Sequence, residues 1–318
     1  MSAVVEHESS LFRFSEEVRE ALVQRRPVVA LESNVVAHGF RWPDNIAVAE
    51  EVEAAVRAAG AVPATIAIAD GRIVVGTTAD ELETLATATD VAKVTSRDIA
   101  VAVTRRALGA TSISATMVIA NQIGIATVAS AGLGGVHRGA ETTMDISADL
   151  TELARTKLIV VCAGVKKILD AGRTLEFLET QGTPVIGYRY LPFPAFYCRE
   201  SGYNAQLRID DPHDIAEIAR VHLSFAGAGS LLITHPIASA DALDSDAVET
   251  AIQQALAQAD AENISGPAVT TFVLRAVDAA TGGAAAAANR AVLISTAQAA
   301  AEIENARAAL EHGATHAA

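Results

Sequence analysis

The stretch that decides the fold runs from Ile125 to Asp170 and reads IATVASAGLGGVHRGAETTMDISADLTELARTKLIVVCAGVKKILD. Two short apolar runs, Ile125–Val128 and Leu158–Val161, are bounded by glycine and polar residues and are too short for helices, so each predicts a buried strand. The segment between them carries more polar chemistry than a connection needs, which marks it as a candidate site.

A glycine-rich loop follows the first of these strands. Gly132, Gly134 and Gly135 allow the backbone to take φ > 0 and leave its N–H groups open to an anion. His137 and Arg138 come directly afterwards and add cationic or switchable side chains. The loop is therefore predicted to face a phosphate.

The second strand leads into Val165–Asp170, whose pattern predicts a helix with Lys166 and Lys167 in its first turn. Lysine is unfavourable there, because the helix dipole and the neighbouring ammonium both disfavour a second positive charge. One interpretation is an amine whose lowered pKa lets the neutral form attack a carbonyl and form a Schiff base. A solvated lysine pair on a surface turn is the alternative, and the pattern alone leaves it open.

A carboxylate follows another predicted buried strand, Val28–Leu31. Open α/β sheets bind ligands at the carboxyl ends of their strands, so Glu32 is a candidate general acid. A local cap or ion pair would explain this residue equally well.

Further charged residues suggest phosphate and metal binding. Lys93 and Arg97 lie on one short segment and suit a phosphate, although an exposed pair of Arg97 with Asp98 is the simpler explanation. Asp145 and Asp149 are alternative ligands for a divalent metal, since hard cations prefer carboxylate and water. Asp145 could instead be the N-cap of the predicted helix Ala148–Arg155, and Ser147 is the other candidate for that cap.

Composition bounds the class of protein. The 318 residues contain no Pro/Ser-rich linker or charge block, which predicts a single domain over residues 9–311 with flexible tails at 1–8 and 312–318. A net charge of −14 argues against nucleic acid or an anionic membrane as the main partner. Two cysteines without metal spacing, no signal peptide and no membrane-length apolar run predict a cytoplasmic protein.

The segment Arg189–Gly202 is rich in proline and aromatic residues. It is unusually apolar for a surface loop, which suggests either a lid or an oligomer contact.

Nearly the whole chain resembles the pseudouridine-5′-phosphate glycosidase family, which includes C-glycosynthases of the alnumycin type. The matching segments are ALES and AHG within Ala30–Gly39, and GAVPATIAI, SRDIA, GATSISATM, GGVHRGAE, DISADLTELA, VVCAG with KKILD, TLEFLET and FPAFY. The resemblance implies an α/β/α sandwich around a mixed central sheet, a homotrimer, and chemistry at the anomeric carbon of ribose 5-phosphate.

The resemblance also assigns roles to residues of this chain. It implies that Lys166 is the nucleophile that bonds C1′ as an imine, that Glu32 moves a proton at the ring oxygen, and that Asp145 binds manganese. With His137 added from the glycine-rich loop, the implied substrate contacts are Lys93, Ile113, His137, Ser147, Ala148, Asp149 and Asn289. A catalytically silent sugar-phosphate-binding regulator is the rival class, but such a protein would need no nucleophile.

The departures from the family pattern avoid those residues. They are Asn34 after Glu32-Ser33, Ser130-Ala131-Gly132, Thr234-His235, Gly266-Pro267, Thr270-Thr271 and Ser295-Thr296. Loss of amides that can bond a nucleobase edge favours a C-glycosynthase that joins ribose 5-phosphate to an aromatic acceptor, for which Phe40 and Trp42 offer flat apolar area. Asn289 favours the alternative, a glycosidase that releases uracil.

Overall fold

The computed structural model describes residues 11–262, 264 and 267–316. The predicted tail at residues 1–8 lies outside them, and the last helix continues to His316, past the predicted domain end at residue 311. No helix in the described ranges is long and apolar enough to cross a membrane.

A central sheet organises the described part of the chain. Its order is β1-β4-β3-β2-β7-β8-β11-β9-β10, with β6 beside β3 and β5 beside β6. The β3–β4 and β3–β6 pairs are antiparallel and the other pairs are parallel, so the sheet is mixed. The strands are β1 Phe12–Phe14, β2 Val28–Glu32, β3 Val62–Ala69, β4 Arg72–Val75, β5 Ala92–Val94, β6 Gly109–Thr111, β7 Thr127–Ala129, β8 Ile159–Cys162, β9 Val185–Tyr188, β10 Leu207–Ile209 and β11 Leu231–Thr234.

Helices cover the sheet. They are α1 Glu16–Val23, α2 Asn34–His38, α3 Asp44–Ala58, α4 Ala79–Thr87, α5 Ile99–Thr104, α6 Ile113–Ile123, α7 Ala140–Thr143, α8 Ala148–Arg155, α9 Ala171–Thr180, α10 Pro212–Ser224, α11 Ser245–Ala261, α12 Pro267–Ala280 and α13 Ala284–His316, with a 3₁₀ turn at Ser96–Asp98.

Helices α13 and α6 define the two layers over the middle of the sheet. α13 packs on β2, β7 and β8 between α3 and α10, whereas α6 packs on β2 and β7 beside α8. The central strands are buried on both faces, as continuous Val/Ile runs require in a parallel sheet. The predicted α/β/α sandwich around a mixed sheet is confirmed.

The prediction of a helix at Val165–Asp170 is wrong. Val165 forms a bridge with Leu133, and the N–H groups of Lys166 and Asp170 bond the carbonyls of Leu133 and Val136. Helix α9 begins only at Ala171, with Asp170 as its N-cap. The helix-dipole argument for a neutral lysine therefore does not apply.

The apolar loop Arg189–Gly202 belongs to the core of its own chain. Phe193, Phe196 and Tyr197 are at most 5% exposed, and the N–H of Phe196 bonds the carbonyl of Ala163. Because these three side chains are buried within their own chain, they cannot provide the predicted lid or oligomer contact, whereas Leu191 in the same segment is 39% exposed.

Candidate active site

The site lies where three adjacent parallel strands end. Strand β2 ends at Glu32, β7 is followed by Ser130, and the chain leaving β8 reaches Lys166. Carboxyl ends of neighbouring parallel strands meet at one edge of a sheet, so residues far apart in sequence converge there.

Glu32 lies in an environment that favours its protonated form. Burial raises the pKa of this carboxyl, while the positive charge of Lys166 and a hydrogen bond from the Ser130 hydroxyl oppose the rise, and the negative charge of Asp149 adds to it. A carboxyl that lies beside an amine and keeps its proton above the pH at which carboxyls normally lose it suits general acid catalysis. The local-cap interpretation of Glu32 does not account for this setting.

The glycine-rich loop passes close to the Lys166 side chain. A Cβ atom at Gly132 would lie 2.7 Å from the Phe196 ring and 3.3 Å from Cγ of Lys166, so the loop passes directly over the lysine stem. Cys162, the other nucleophilic side chain at this strand end, is fully buried, and burial raises its thiol pKa to about 12. The Cys162 thiol is therefore kept protonated and is a poor nucleophile, which leaves Lys166 as the candidate nucleophile of the site.

Lys93 supplies a second amine to the same site. Its side chain remains in contact with solvent, yet loss of water around it lowers its pKa, and the nearby charge of Lys166 lowers it further. The charges of Glu32 and Asp149 act in the opposite direction. The Lys93 amine thus lies within electrostatic reach of the other charged groups of the site, and its role as a substrate contact stays a prediction. Arg97 is 85% exposed and its Nε lies 3.6 Å from Oδ1 of Asp98, so it forms the exposed pair that was the simpler explanation.

Asp149 joins two backbone segments at the site. Its Oδ1 accepts the N–H of Ser114, in the first turn of α6, at 3.0 Å, and its Oδ2 accepts the N–H of Gly134 at 2.9 Å. The side chain is 7% exposed. Asp149 therefore fixes the glycine-rich loop against the start of α6, a role that the sequence did not reveal.

We expect Asp149→Asn to lower the free energy of unfolding by about 1–3 kcal/mol, because the amide NH₂ would face a backbone N–H and leave a buried donor unpaired. Thermal denaturation measures this. Asp145→Asn is the matched control, since Asp145 is 48% exposed. An equal melting temperature for both variants would contradict the structural role of Asp149.

The glycine-rich loop differs from its prediction in two respects. Gly132, Gly134 and Gly135 are outside the positive-φ region; a side chain at Gly134 would instead place Cβ 2.2 Å from the Ser147 Oγ. The anion that meets the Gly134 N–H is the Asp149 carboxylate. Close packing, not a left-handed backbone, is what requires glycine here.

The two cationic residues that follow this loop, His137 and Arg138, have different surroundings. Arg138 donates to both carboxylate oxygens of Glu249 at 2.6 and 2.9 Å and to the carbonyl of Lys167. It therefore stabilises the contact with α11 and is not a free phosphate ligand. His137 lies beside Asp145, with its Nδ1 3.7 Å from Oδ2 of that carboxylate.

The remaining predicted contacts lie at helix starts. Ser147 is the N-cap of α8 and accepts the N–H of Asp149, so Asp145 is not the cap. Ala148 is the first residue of α8, and Ile113 is the first of α6 with its side chain 2% exposed, which leaves its backbone for a ligand. Helix N-termini of this kind suit phosphate oxygens.

Asp145 retains the chemistry of a metal ligand without forming a protein cage. Among the described residues, no group of three or more His, Cys, Asp or Glu side chains is placed to hold a metal. The half-exposed Asp145 carboxylate, with His137 as its neighbour, fits a hard cation that keeps most of its water.

Asn289 lies on α13 one turn before Leu293, and Leu293 lines the same small cavity as Glu32 and Ser130. The Oδ1 atom of Asn289 is buried without a hydrogen-bond partner. A buried, unpartnered amide oxygen is rare enough to need an explanation, and a ligand N–H group would supply its partner.

Two solved structures have a fold similar to that of this chain. A crystal structure of the prealnumycin C-glycosynthase AlnA in complex with ribulose 5-phosphate is similar, with 44% identity, a TM-score of 0.90 and coverage of 96% of this chain and 99% of that one. An indigoidine synthase A-like protein from Thermotoga maritima is also similar, with 30% identity, a TM-score of 0.84 and coverage of 94% and 97%.

Sequence relatives point to the same chemistry. A pseudouridine-5′-phosphate glycosidase of Dickeya dadantii is 50% identical over 90% of this chain and 91% of its own length. Pseudouridine-5′-phosphate glycosidase 1 of Photorhabdus laumondii is 49% identical over 92% of each. Fold, site and relatives together define the chain as an enzyme that cleaves or forms C-glycosidic bonds.

Within that class, the model of the family described as indigoidine synthase A like protein matches residues 17–306. The chain belongs to this family.

Proposed function

We propose that the enzyme cleaves pseudouridine 5′-phosphate to uracil and ribose 5-phosphate through an imine on Lys166. The observation that carries this proposal is the placement of Lys166 beside a buried Glu32 whose pKa is raised. Curated relatives of up to 50% identity bear the name of this activity. The unpartnered Oδ1 of Asn289 suits an N–H group of the base.

The chemistry balances with these two residues and water. Glu32 gives a proton to the ring oxygen, the ring opens, and Nζ of Lys166 bonds C1′. The lysine nitrogen then forms the C1′ imine as the C1′–C5 bond breaks; the bond's electron pair passes to the uracil ring, which takes up a proton at C5. Water hydrolyses the imine, which releases ribose 5-phosphate and restores Lys166.

Several residues that differ from the family pattern, and that favoured a synthase, form contacts within the chain. Thr296 is fully buried and its hydroxyl bonds the Val292 carbonyl, and Thr234 is equally buried. Ser130 uses its hydroxyl on Glu32. The hydroxyls of Thr296 and Ser130 are therefore already engaged within the chain, while residue 266 and the side chains of residues 267, 270 and 271 lie outside the described part of the chain.

A C-glycosynthase acting on ribose 5-phosphate and an aromatic acceptor is the second candidate. Trp42 favours it, because this ring is 53% exposed just before α3, in the loop that follows Glu32 and α2. Arg290, which neighbours Asn289 on α13, pairs with Glu51 of α3, so the segment around Asn289 packs beside the helix that follows Trp42. An exposed ring of this kind offers a stacking face.

Product analysis separates the two candidates. The purified enzyme should release uracil from pseudouridine 5′-phosphate, and ribose 5-phosphate with uracil should give the reverse reaction. If neither occurs while ribose 5-phosphate still forms a borohydride-reducible adduct, the glycosidase proposal fails and aromatic acceptors are the next substrates to assay. Absence of both turnover and adduct would favour a silent sugar-phosphate-binding regulator.

Manganese, or a similar divalent cation, is proposed at Asp145 with a mainly aqueous shell. Bound there, the ion would supply positive charge for the substrate phosphate. We expect Asp145→Ala to lose the bound metal and to raise KM by about tenfold or more, with metal content measured by mass spectrometry. Glu141→Ala, which removes an exposed carboxylate paired with Arg173, is the control; unchanged metal content in Asp145→Ala would contradict the assignment.

The homotrimer and the cytoplasmic location stay predictions from the family resemblance and from composition. The described structure weakens the argument from the Tyr190–Tyr197 segment, because most of its aromatic side chains are buried within one chain. Light scattering at working concentration would contradict the trimer by giving the mass of a single chain.

A further inference from the structure

Ser130 makes a contact that the assigned roles do not include. It directly follows β7, is 2% exposed, and its N–H bonds the Val161 carbonyl at 3.0 Å, which fixes its backbone to β8. From that anchored position its hydroxyl donates to Oε1 of Glu32. The pairing of β7 with β8 therefore fixes the backbone of Ser130, and its hydroxyl lies against the Glu32 carboxyl at the end of the adjacent strand β2.

Ser130 is the hydroxyl donor to Glu32 in the cavity that both residues line. Both residues line a cavity of about 20 Å³ whose other walls are mostly aliphatic, including Val36, Val52 and Leu293. Thr65 also lines it, but the Thr65 hydroxyl donates to Glu53 at 2.7 Å. Among the residues that line this cavity, Ser130 is thus the one whose hydroxyl bonds Glu32.

We propose that Ser130 is a positioning residue for the general acid, whose hydroxyl holds Oε1 of Glu32 so that Oε2 carries and delivers the proton. This inference rests on the proposed function, in which Glu32 protonates the ring oxygen. In the protonated carboxyl, Oε1 is the carbonyl oxygen and still accepts from Ser130. The same contact thus orients Glu32 before and after proton transfer.

The hydrogen bond from Ser130 affects the pKa of Glu32 in a direction set by the protonation state that the bond stabilises. A donor stabilises the charged carboxylate, so its removal lets Glu32 keep its proton to higher pH. The charged groups that face Glu32 are Lys166, Lys93 and Asp149, and none of them changes in a Ser130 variant. We expect Ser130→Ala to raise the Glu32 titration midpoint by about one pH unit.

The test is an infrared titration of the free, full-length enzyme. The C=O band of the Glu32 carboxyl is identified by its absence in Glu32→Gln. Ser130→Ala should raise the midpoint and lower kcat more than it raises KM, whereas Ser130→Thr, which keeps the hydroxyl, should restore the wild-type midpoint. Ser230→Ala is the matched control, because Ser230 is a fully buried residue directly before β11, where that strand begins, whereas Ser130 follows the end of β7.

A wild-type midpoint in Ser130→Ala would overturn the proposal, as would an equal midpoint shift in Ser230→Ala. Circular dichroism and thermal denaturation show whether the variants are folded, and the titration needs no substrate. Failure of the proposed function would appear separately, as absence of uracil release by the wild-type enzyme.

Discussion

Lys166→Ala should abolish turnover, with a loss of about 10⁴-fold or more, and should remove the sugar adduct that borohydride traps in the wild-type enzyme. The reason is that an imine needs a primary amine at C1′. Cys162 is the other nucleophile at this strand end, and burial keeps its thiol protonated. Peptide mass mapping after reduction with ribose 5-phosphate measures the adduct directly.

The neighbouring lysine provides the matched control. Nζ of Lys167 donates to Oγ of Ser245 at 3.0 Å, so this side chain contacts α11 and not the strand-end site. Lys167→Ala removes the same charge one residue away and should keep both the adduct and most of the turnover. Persistence of the adduct in Lys166→Ala would rule out the assigned nucleophile.

The fold was largely predictable because its signals are local. Short apolar runs bounded by glycine and polar residues, such as Leu158–Val161, can satisfy their backbone groups only as strands buried in a sheet. Cap residues are equally local, and the structure starts α8 after Ser147, one of the two alternatives in the sequence. Element type could therefore be inferred within short windows.

Val165–Asp170 shows where local inference ends. Its apolar spacing resembles a helical turn, but its N–H groups bond carbonyls of Leu133 and Val136, more than 30 residues earlier in the chain. Those partners compete with the local helical bonds, and nothing within the segment reports their presence. The strand pairing around the glycine-rich loop decides its conformation.

The site was only partly predictable for the same reason. Glu32, Lys93 and Lys166 could be named by their positions after strands, but contacts between them depend on strand order. Ser130 reaches Glu32 across 98 residues, and Arg138 meets Glu249 across 111. These distant contact partners depend on the order of the strands in the sheet, which could not be read from the sequence.

The second large effect is expected from Glu32→Gln, which should lower kcat by about 10²–10⁴-fold while KM changes little. Glutamine keeps the size of the side chain and an oxygen that can accept from Ser130, so packing is preserved. It cannot give a proton to the ring oxygen. Steady-state kinetics on pseudouridine 5′-phosphate across a pH series measures both the loss and its pH dependence.

The pH dependence tests the role of Glu32 more sharply than the rate alone. Burial raises the pKa of Glu32, so the wild-type enzyme keeps its acid protonated above the usual carboxyl range and loses activity as pH rises through that raised value. The residual activity of Glu32→Gln should lack this decline. Glu304→Gln is a matched control, because Glu304 is a carboxylate only 2% exposed that bonds Thr127 at the opposite end of β7. Glu304→Gln should keep the wild-type decline. A Glu32→Gln enzyme that retained both the full rate and that decline would show that another group supplies the proton.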